Sequence, residues 1–510
     1  MLIEQAVANH TRGNLAQAEA LYRKILAQAP SHFDALHLLG VVCQQTGRDA
    51  EAVGLMQKAV DVDPSQPGIH SNLGLALLAL KRPEEALASL DRSLALNPDQ
   101  VAALGNRGNI LRVLGRAQEA LESHNRALAL DPASAIALNN RATALRLLDR
   151  HMEALADCNR ALEITPGYPD ALCNRGNVLQ DLHQFSEALD SYRQALQSAP
   201  GHADSHWNEG LCRLLMGDYA QGWQKYEWRW MTEQAGTERA FSQPVWLGKE
   251  SLAGKTVLIH AEQGFGDTLQ FCRYVKDVFD LGAVVVVEVQ PALKALMTSL
   301  DGVARVLARG EPLPHFDYHV PMLSLPLAMG TTLGSIPVRR GYLRGDPEAV
   351  ARWRRRLGPK RLPRVGLVWK GANAKRSISP AVLKPLLGSN VQFFSLQKEV
   401  DAEARELLVD SGELELLAEE LDFSDTAAVV DLMDLVITID TSIAHMAGAL
   451  GKKTWVLLPK TPEWRWLADR EDSPWYPSVR LFRALEFGDW GGLMVRVANT
   501  LSTELNLPGR

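Results

Sequence analysis

Along the first part of the chain, apolar positions recur at helical spacing in paired bursts. Ala102 to Leu114 and Gln118 to Leu130 form one such pair, broken at Gly115-Arg116. Each pair predicts a helical hairpin. The pairs repeat in three registers that all step by 34 residues: Pro30, Pro64, Pro98, Pro132, Pro166 and Pro200; Gly40, Gly74, Gly108, Ala142, Gly176 and Gly210; and Ala18, Ala52, Ala86, Ala120, Ala154 and Ala188. The small residues let the two helices of a hairpin approach closely, and the proline, which cannot continue a helix, ends the second one.

Past a polar connector the pattern changes. Lys255 to His260, Ala283 to Val289, Arg364 to Trp369, Val391 to Leu396, Leu435 to Ile439 and Thr454 to Leu458 are β-branched or apolar runs followed by helical stretches. Such runs predict buried parallel strands in an α/β architecture. They fall into two groups, which predicts two doubly wound lobes with a cleft between them. The expected domains are a solenoid over 1–235, a connector over 236–251, an acceptor-side lobe over 252–345, a linker over 346–363 and a donor-side lobe over 364–510. A last, tryptophan-rich repeat with Trp207, Trp223, Trp228 and Trp230 is expected to pack on the lobe that follows.

The 510 residues, 46% hydrophobic and 22% charged, are ordinary for globular protein and too many for one core. A net charge of −6 gives no reason to expect nucleic acid or an anionic membrane as partner. The basic stretch Arg352 to Arg364 is read as the solvated face of a short helix plus a linker. No apolar run is long enough to span a membrane and no secretion signal is present, so a cytoplasmic location is expected. Cys43, Cys158, Cys173, Cys212 and Cys272 lack paired spacing and are expected to be reduced and buried.

Equivalent positions of stacked repeats form ladders. Asn72, Asn106, Asn140, Asn174 and Asn208 occupy one position in five consecutive repeats, and Leu38 breaks the series. A row of carboxamides, each both donor and acceptor, can grip the backbone of an extended peptide without reading its side chains. The alternative is that these asparagines satisfy polar groups between repeats. Beside them, Arg107, Arg141 and Arg175 point either to an acidic or polar client or simply to solvent.

In the second half three loops follow strands, where α/β proteins bind ligands. Ala261 to Gln270 turns through Gly264 and Gly266 into a helix start at Asp267, and its glycines allow a ligand close to the backbone. A dinucleotide fingerprint would place a third glycine where Leu269 stands. Glu288 could act as a ribose-binding acid, but the missing glycine argues against a dehydrogenase. Trp369 to Ser377 carries Lys370, Lys375 and Arg376 after a glycine turn, suited to phosphate or merely solvated. Asp440-Thr441-Ser442 leads into a helix holding His445, where Thr441 or Ser442 can cap and free N–H groups suit a diphosphate.

The 34-residue units resemble the tetratricopeptide repeat. Their asparagine ladder is similar to the one along the concave face of nucleocytoplasmic O-linked N-acetylglucosamine transferase. The three loops, with Phe394 to Lys398 and Trp464-Arg465-Trp466, resemble bacterial tetratricopeptide-glycosyltransferase fusions of the heptosyltransferase-like GT-B family. The resemblance implies an α-solenoid followed by a GT-B-like pair of α/β lobes. It makes Asp267 the general base and sets Gly264, Gly266, Lys370, Lys375, Arg376, Gln397, Asp440, Thr441, Ser442 and His445 around a nucleotide-sugar donor. Ser442 stands where the heptosyltransferases have glycine.

No Asp-x-Asp pair follows a strand in this half, so cations and helix N–H groups are expected to hold the leaving diphosphate without a metal or other cofactor, and transfer with inversion is expected. The leading expectation is transfer to serine or threonine hydroxyls of a protein held by the repeats, flagellin or another surface protein among the candidates. A lipid or polysaccharide acceptor, or a catalytically inactive scaffold, are the alternatives.

Overall fold

A computed structural model describes residues 2–232, 239–371, 376–388, 390–417 and 421–504. The chain forms two compact units, residues 1–202 and 203–510.

The first unit is six helical hairpins spanning 2–28, 33–62, 67–96, 101–130, 135–164 and 169–198. Each second helix stops two residues before the repeating proline, and the residue before that proline has left the helical region, as the proline ring demands. The whole alanine register is buried. At the small-residue register a Cβ added to Gly176 would lie 2.5 Å from the Tyr192 ring, and one added to Gly40 would lie 2.8 Å from Met56. The partner stands sixteen residues on in each repeat. Where the register holds Ala142, that residue is the small Cys158, so the volumes compensate.

The hairpin turns show the same period. Gly13, Gly47, Lys81, Gly115, Asp149, His183 and Gly217 all have positive φ, and only glycine adopts that geometry without strain.

The second unit begins with a seventh hairpin, Ala203–Met216 and Tyr219–Tyr226, and continues into two parallel sheets. The first sheet holds β1 (Thr256–His260), β2 (Val284–Val289), β3 (Val303–Ala308) and β4 (Tyr318–Pro321) in the order β3-β2-β1-β4. The second holds β5 (Arg364–Val368), β6 (Gln392–Ser395), β7 (Glu415–Leu416), β8 (Leu435–Ile439), β9 (Thr454–Leu458) and β10 (Val479–Arg483) in the order β10-β9-β8-β5-β6-β7. All six expected strands are present. The four unforeseen ones lie at sheet edges or are short, and β3 exposes Ala304 and Arg305, so none reads as a continuous apolar run.

The seventh hairpin packs its aromatic residues on both lobes. Trp223 donates to the Thr331 carbonyl at 3.1 Å and meets Trp464 edge-on at 5.3 Å between centroids. Tyr219 stacks on Trp475 and accepts its indole N–H at 3.1 Å. The five cysteines form no disulfide and are buried. The basic stretch is the exposed face of the helix Pro347–Leu357 and the segment after it, with Arg352 pairing with Asp425 at the surface; of its cations only Arg364, which begins β5, is buried, donating to the carbonyls of Leu357 and Gly358. Among the described residues no helix is long and apolar enough to cross a membrane.

Candidate functional site

Chain order reverses in the second sheet between β5 and β8, so the connections leaving these neighbouring strands diverge and open a crevice. The corresponding point in the first sheet lies between β1 and β4. A cavity of about 780 Å³ lies where the loops after β1, β5, β6 and β8 converge. Asp267, Gly264, Gly266, Lys370, Arg376, Gln397, Asp440, Thr441, Ser442 and His445 all line it. Lys375 lies outside the described residues, as do 372–374.

The helix Ser442–Ala449 starts at the cavity, with Thr441 as its cap through a hydrogen bond from the Ile443 N–H. Its first N–H groups and the positive end of its dipole therefore meet any anion bound there. Arg376 reaches the same end and pairs with Asp440. Burial raises the proton affinity of Asp440, and Arg376 works against that. Lys370 pairs with Asp401 at 2.9 Å but remains half exposed. Gln397 is a brace: its side chain accepts from the Lys370 N–H at 3.0 Å and donates to the Lys370 carbonyl at 3.0 Å, fixing the loop after β5.

His445 is buried and stacks on Trp466, with Nδ1 2.9 Å from the Tyr476 hydroxyl. Burial, joined by Arg465, Arg273 and Arg376, holds it well below the usual histidine range, so the ring is neutral. The same ring bears on Gly266. A Cβ there would lie 2.9 Å from His445 Cδ2, so the glycine admits the histidine ring, whereas the sequence suggested room for a ligand. At Gly264 a Cβ would meet only Asp267 Oδ2, at an ordinary 3.4 Å.

Asp267 both caps and faces the cavity. Its Oδ2 accepts the Gly264 N–H at 3.0 Å, and its Oδ1 accepts from Arg465. No sequence pattern assigns a role to Arg465 or Glu463, although Arg465 lies within Trp464-Arg465-Trp466. Phe423, Thr426 and Lys398 also line the cavity, and Phe423 meets Phe265 at 4.7 Å across it. Nothing in a local pattern marks Glu463 or Thr426, because only the fold brings them to the cleft. Glu288 is buried against Arg239 and does not line the cavity, which removes the ribose-acid reading.

In the repeats, Asn72 Nδ2 lies 2.8 Å from His37 Nε2, and Asn174 donates to Asn139 at 2.8 Å, each 35 residues back in the preceding hairpin. Asn106 and Asn140 are half-buried and make no side-chain hydrogen bond among the described residues. Asn208 belongs to the second unit. The neighbouring arginines are only partly exposed and are engaged within the repeats. Arg107, Arg141 and Arg175 donate to Ser123, Asp157 and Ser191, each sixteen residues on, and tie the two helices of a hairpin together.

Residues 10–71, 71–133 and 133–201 match tetratricopeptide repeat families, and residues 383–487 match glycosyltransferase family 9 (heptosyltransferase). The latter span includes Gln397, Asp440, Thr441, Ser442, His445 and Arg465 but neither Asp267 nor Lys370. Protein FlbA of Caulobacter vibrioides is 29% identical over 320 residues, which is 56% of this chain and 53% of that protein's length. A tetratricopeptide repeat protein from Parabacteroides merdae is 18% identical in structural alignment, covering 47% of this chain and 93% of its own, with a TM-score of 0.41. YrrB, described as a repeat protein with an unusual peptide-binding site, is 19% identical over 36% of this chain and 95% of its own, with a TM-score of 0.31. Matches to tetratricopeptide repeats and to glycosyltransferase family 9 (heptosyltransferase) thus lie in one polypeptide.

Proposed function

We propose that the protein is a glycosyltransferase that moves a sugar from a nucleotide-sugar donor to serine or threonine hydroxyls of a protein recruited by its repeats. The observation that carries the transferase reading is the convergence of Arg376, Lys370 and the start of the helix Ser442–Ala449 on one cavity. These groups suit the charge that develops on a departing nucleotide diphosphate, and a fixed positive environment of this kind is worth most where water is excluded. In this scheme Asp267 takes the proton from the acceptor hydroxyl as its oxygen attacks the anomeric carbon, and the diphosphate leaves from the opposite face with inversion. The cations already at the cavity support a reaction without a divalent metal.

The acceptor is inferred from chain architecture. A peptide held by repeats on the same polypeptide reaches an effective concentration of about millimolar at the catalytic part, with no need for tight binding there. Asn106 and Asn140 are the carboxamides free to hold it. The competing reading, repeats that only organise an assembly around a lipid or polysaccharide transferase, draws support from Asn72 and Asn174, which are spent between repeats.

The test is incubation of the full chain with a panel of nucleotide sugars, with and without EDTA, followed by intact-mass analysis of candidate proteins, flagellins and other surface proteins first. The proposal expects one donor to be consumed with or without EDTA, and a mass increase of one sugar residue on a protein. Absence of binding to every nucleotide diphosphate would remove the transferase reading. Donor turnover with transfer only to lipid or polysaccharide would move the assignment to the competing one.

A further inference from the structure

A second, smaller cavity of about 220 Å³ opens between the segment 339–344, which runs from the first sheet toward β5, and the residues that follow the helix Phe265–Phe271. It shares no lining residue with the larger cavity. That helix starts at the larger cavity and, with seven residues, carries the chain about 10 Å to the smaller one.

Five cations line the smaller cavity: Arg273, Lys276, Arg339, Arg340 and Arg344. The one acid in its lining is Asp301. Lys276 pairs with Asp280, Arg339 with Asp277 at 2.8 Å and Arg344 with Asp301 at 3.2 Å. Among the described residues Arg273 and Arg340 meet no carboxylate, so two positive charges are left over.

The cluster is held in place. Arg273 is 1% exposed and donates to the carbonyls of Gln270 and Trp475 and to the Tyr342 hydroxyl. Along the facing segment, the Tyr342 hydroxyl donates to the Leu269 carbonyl at 2.8 Å, the Leu343 N–H to the Ala449 carbonyl at 3.2 Å and the Arg344 N–H to Ser299 Oγ at 3.1 Å. The arginines therefore stand on a backbone pinned at three successive residues. Like charges gathered around a small cavity repel one another, and an anion of matching charge removes that repulsion.

We propose that this cavity binds a phosphate dianion, either inorganic phosphate or the phosphate group of a small monoester. The two left-over charges match the two negative charges of such a group. Guanidinium groups suit it, because their planar N–H pairs meet two phosphate oxygens at once. A volume of about 220 Å³ lies below the roughly 300–1,000 Å³ of drug-sized sites, which leaves room for a phosphate group and excludes a nucleotide-sugar. Bound there, the anion is shared by Arg340 and Arg344 of the segment and by Arg273 and Lys276 of the first lobe. The site stands independently of the transferase reading.

Isothermal titration calorimetry of the full chain with inorganic phosphate tests this, at about pH 8, where a phosphate group carries two charges, and at constant ionic strength set with chloride. Phosphate is also drawn to the cations of the larger cavity, so Arg376→Gln serves as the control for that site. Binding is expected to persist in Arg376→Gln and to weaken by about tenfold or more in Arg340→Gln/Arg344→Gln, which changes two exposed side chains. Asp301→Asn, which removes the lining acid and frees Arg344, should bind several-fold more tightly. A parallel titration with glucose 6-phosphate separates the two sources: tighter binding than inorganic phosphate identifies a monoester, weaker binding the free ion.

No phosphate binding at millimolar concentration would overturn the proposal. So would binding that Arg376→Gln abolishes and Arg340→Gln/Arg344→Gln leaves intact, or looser binding in Asp301→Asn.

Discussion

In the repeats, Arg107, Arg141 and Arg175 hold one register position and perform one task, bonding to the second helix sixteen residues on. In the two-lobed unit, Arg229, Arg273 and Arg465 are all buried, yet they share no register and no common partner. Arg229 pairs with Glu227 and Glu262. Arg273 meets no carboxylate and instead donates to the carbonyls of Gln270 and Trp475 and to the Tyr342 hydroxyl, with its guanidinium over aromatic rings. Arg465 divides itself between two acids. In the first unit a residue's role follows from its period; in the second it follows from where the fold delivers it.

The largest effect that separates the two regions is expected at Asp267. Asp267→Asn keeps the shape and the Gly264 contact but cannot accept the acceptor's proton, so transfer should fall by about 10² to 10⁴ with nucleotide-diphosphate affinity and repeat stability unchanged. Steady-state rates with calorimetric binding read both halves of that statement.

A second contrast is pH. His124, opposite Gly108, is fully buried with neither ring nitrogen bonded among the described residues. Burial, with Arg112 and Arg141 nearby, lowers its pKa to about 4. The unfolded chain takes up this proton below the ordinary value near 6.5, whereas the folded chain resists until about 4. The stabilisation is therefore complete above about pH 6.5 and is lost as pH falls toward 4, by up to about 3 kcal/mol. His124→Leu, copying the Gly74/Leu90 repeat, should flatten the pH dependence of repeat unfolding in this window.

Next in size is close packing. Gly176→Ala drives a methyl into the Tyr192 ring and should cost about 1–3 kcal/mol of repeat stability, whereas Ala142→Gly opposite Cys158 meets no such contact and loses less. Thermal melts of the two variants compare them directly. The smallest effect is a gain: Lys81 sits at φ 59° where most other hairpin turns have glycine, and Lys81→Gly should stabilise by about 0.5–1 kcal/mol.

How much of this was legible in the sequence follows the same division. The hairpins, their prolines and their small residues were readable because every repeat restates them. The β5 and β8 loops were readable because a buried apolar strand announces its own end. What stayed hidden was pairing across the fold. The arginines beside the ladder read as either client-facing or solvent-facing charges because no rule of spacing reveals Asp157 beneath Arg141. Gly266 reads as room for a ligand, and nothing local shows that its missing Cβ also makes way for His445, distant in sequence. Glu463 carries no local signal at all, and Asn72 and Asn174 look identical to Asn106 and Asn140 until their partners in the preceding repeat are seen.

That last difference names the decisive measurement. The double substitution Asn106→Ala/Asn140→Ala removes the two carboxamides that make no side-chain hydrogen bond among the described residues and leaves the inter-repeat bonds of Asn72 and Asn174 in place. Sugar transfer to a protein acceptor and hydrolysis of the same donor are then compared in one preparation. Two lost hydrogen bonds should lower protein transfer by about tenfold or more while donor hydrolysis stays near the wild-type rate. Unchanged protein transfer, or hydrolysis falling in parallel with it, would contradict the account in which the repeats hold the acceptor and the cleft performs the chemistry.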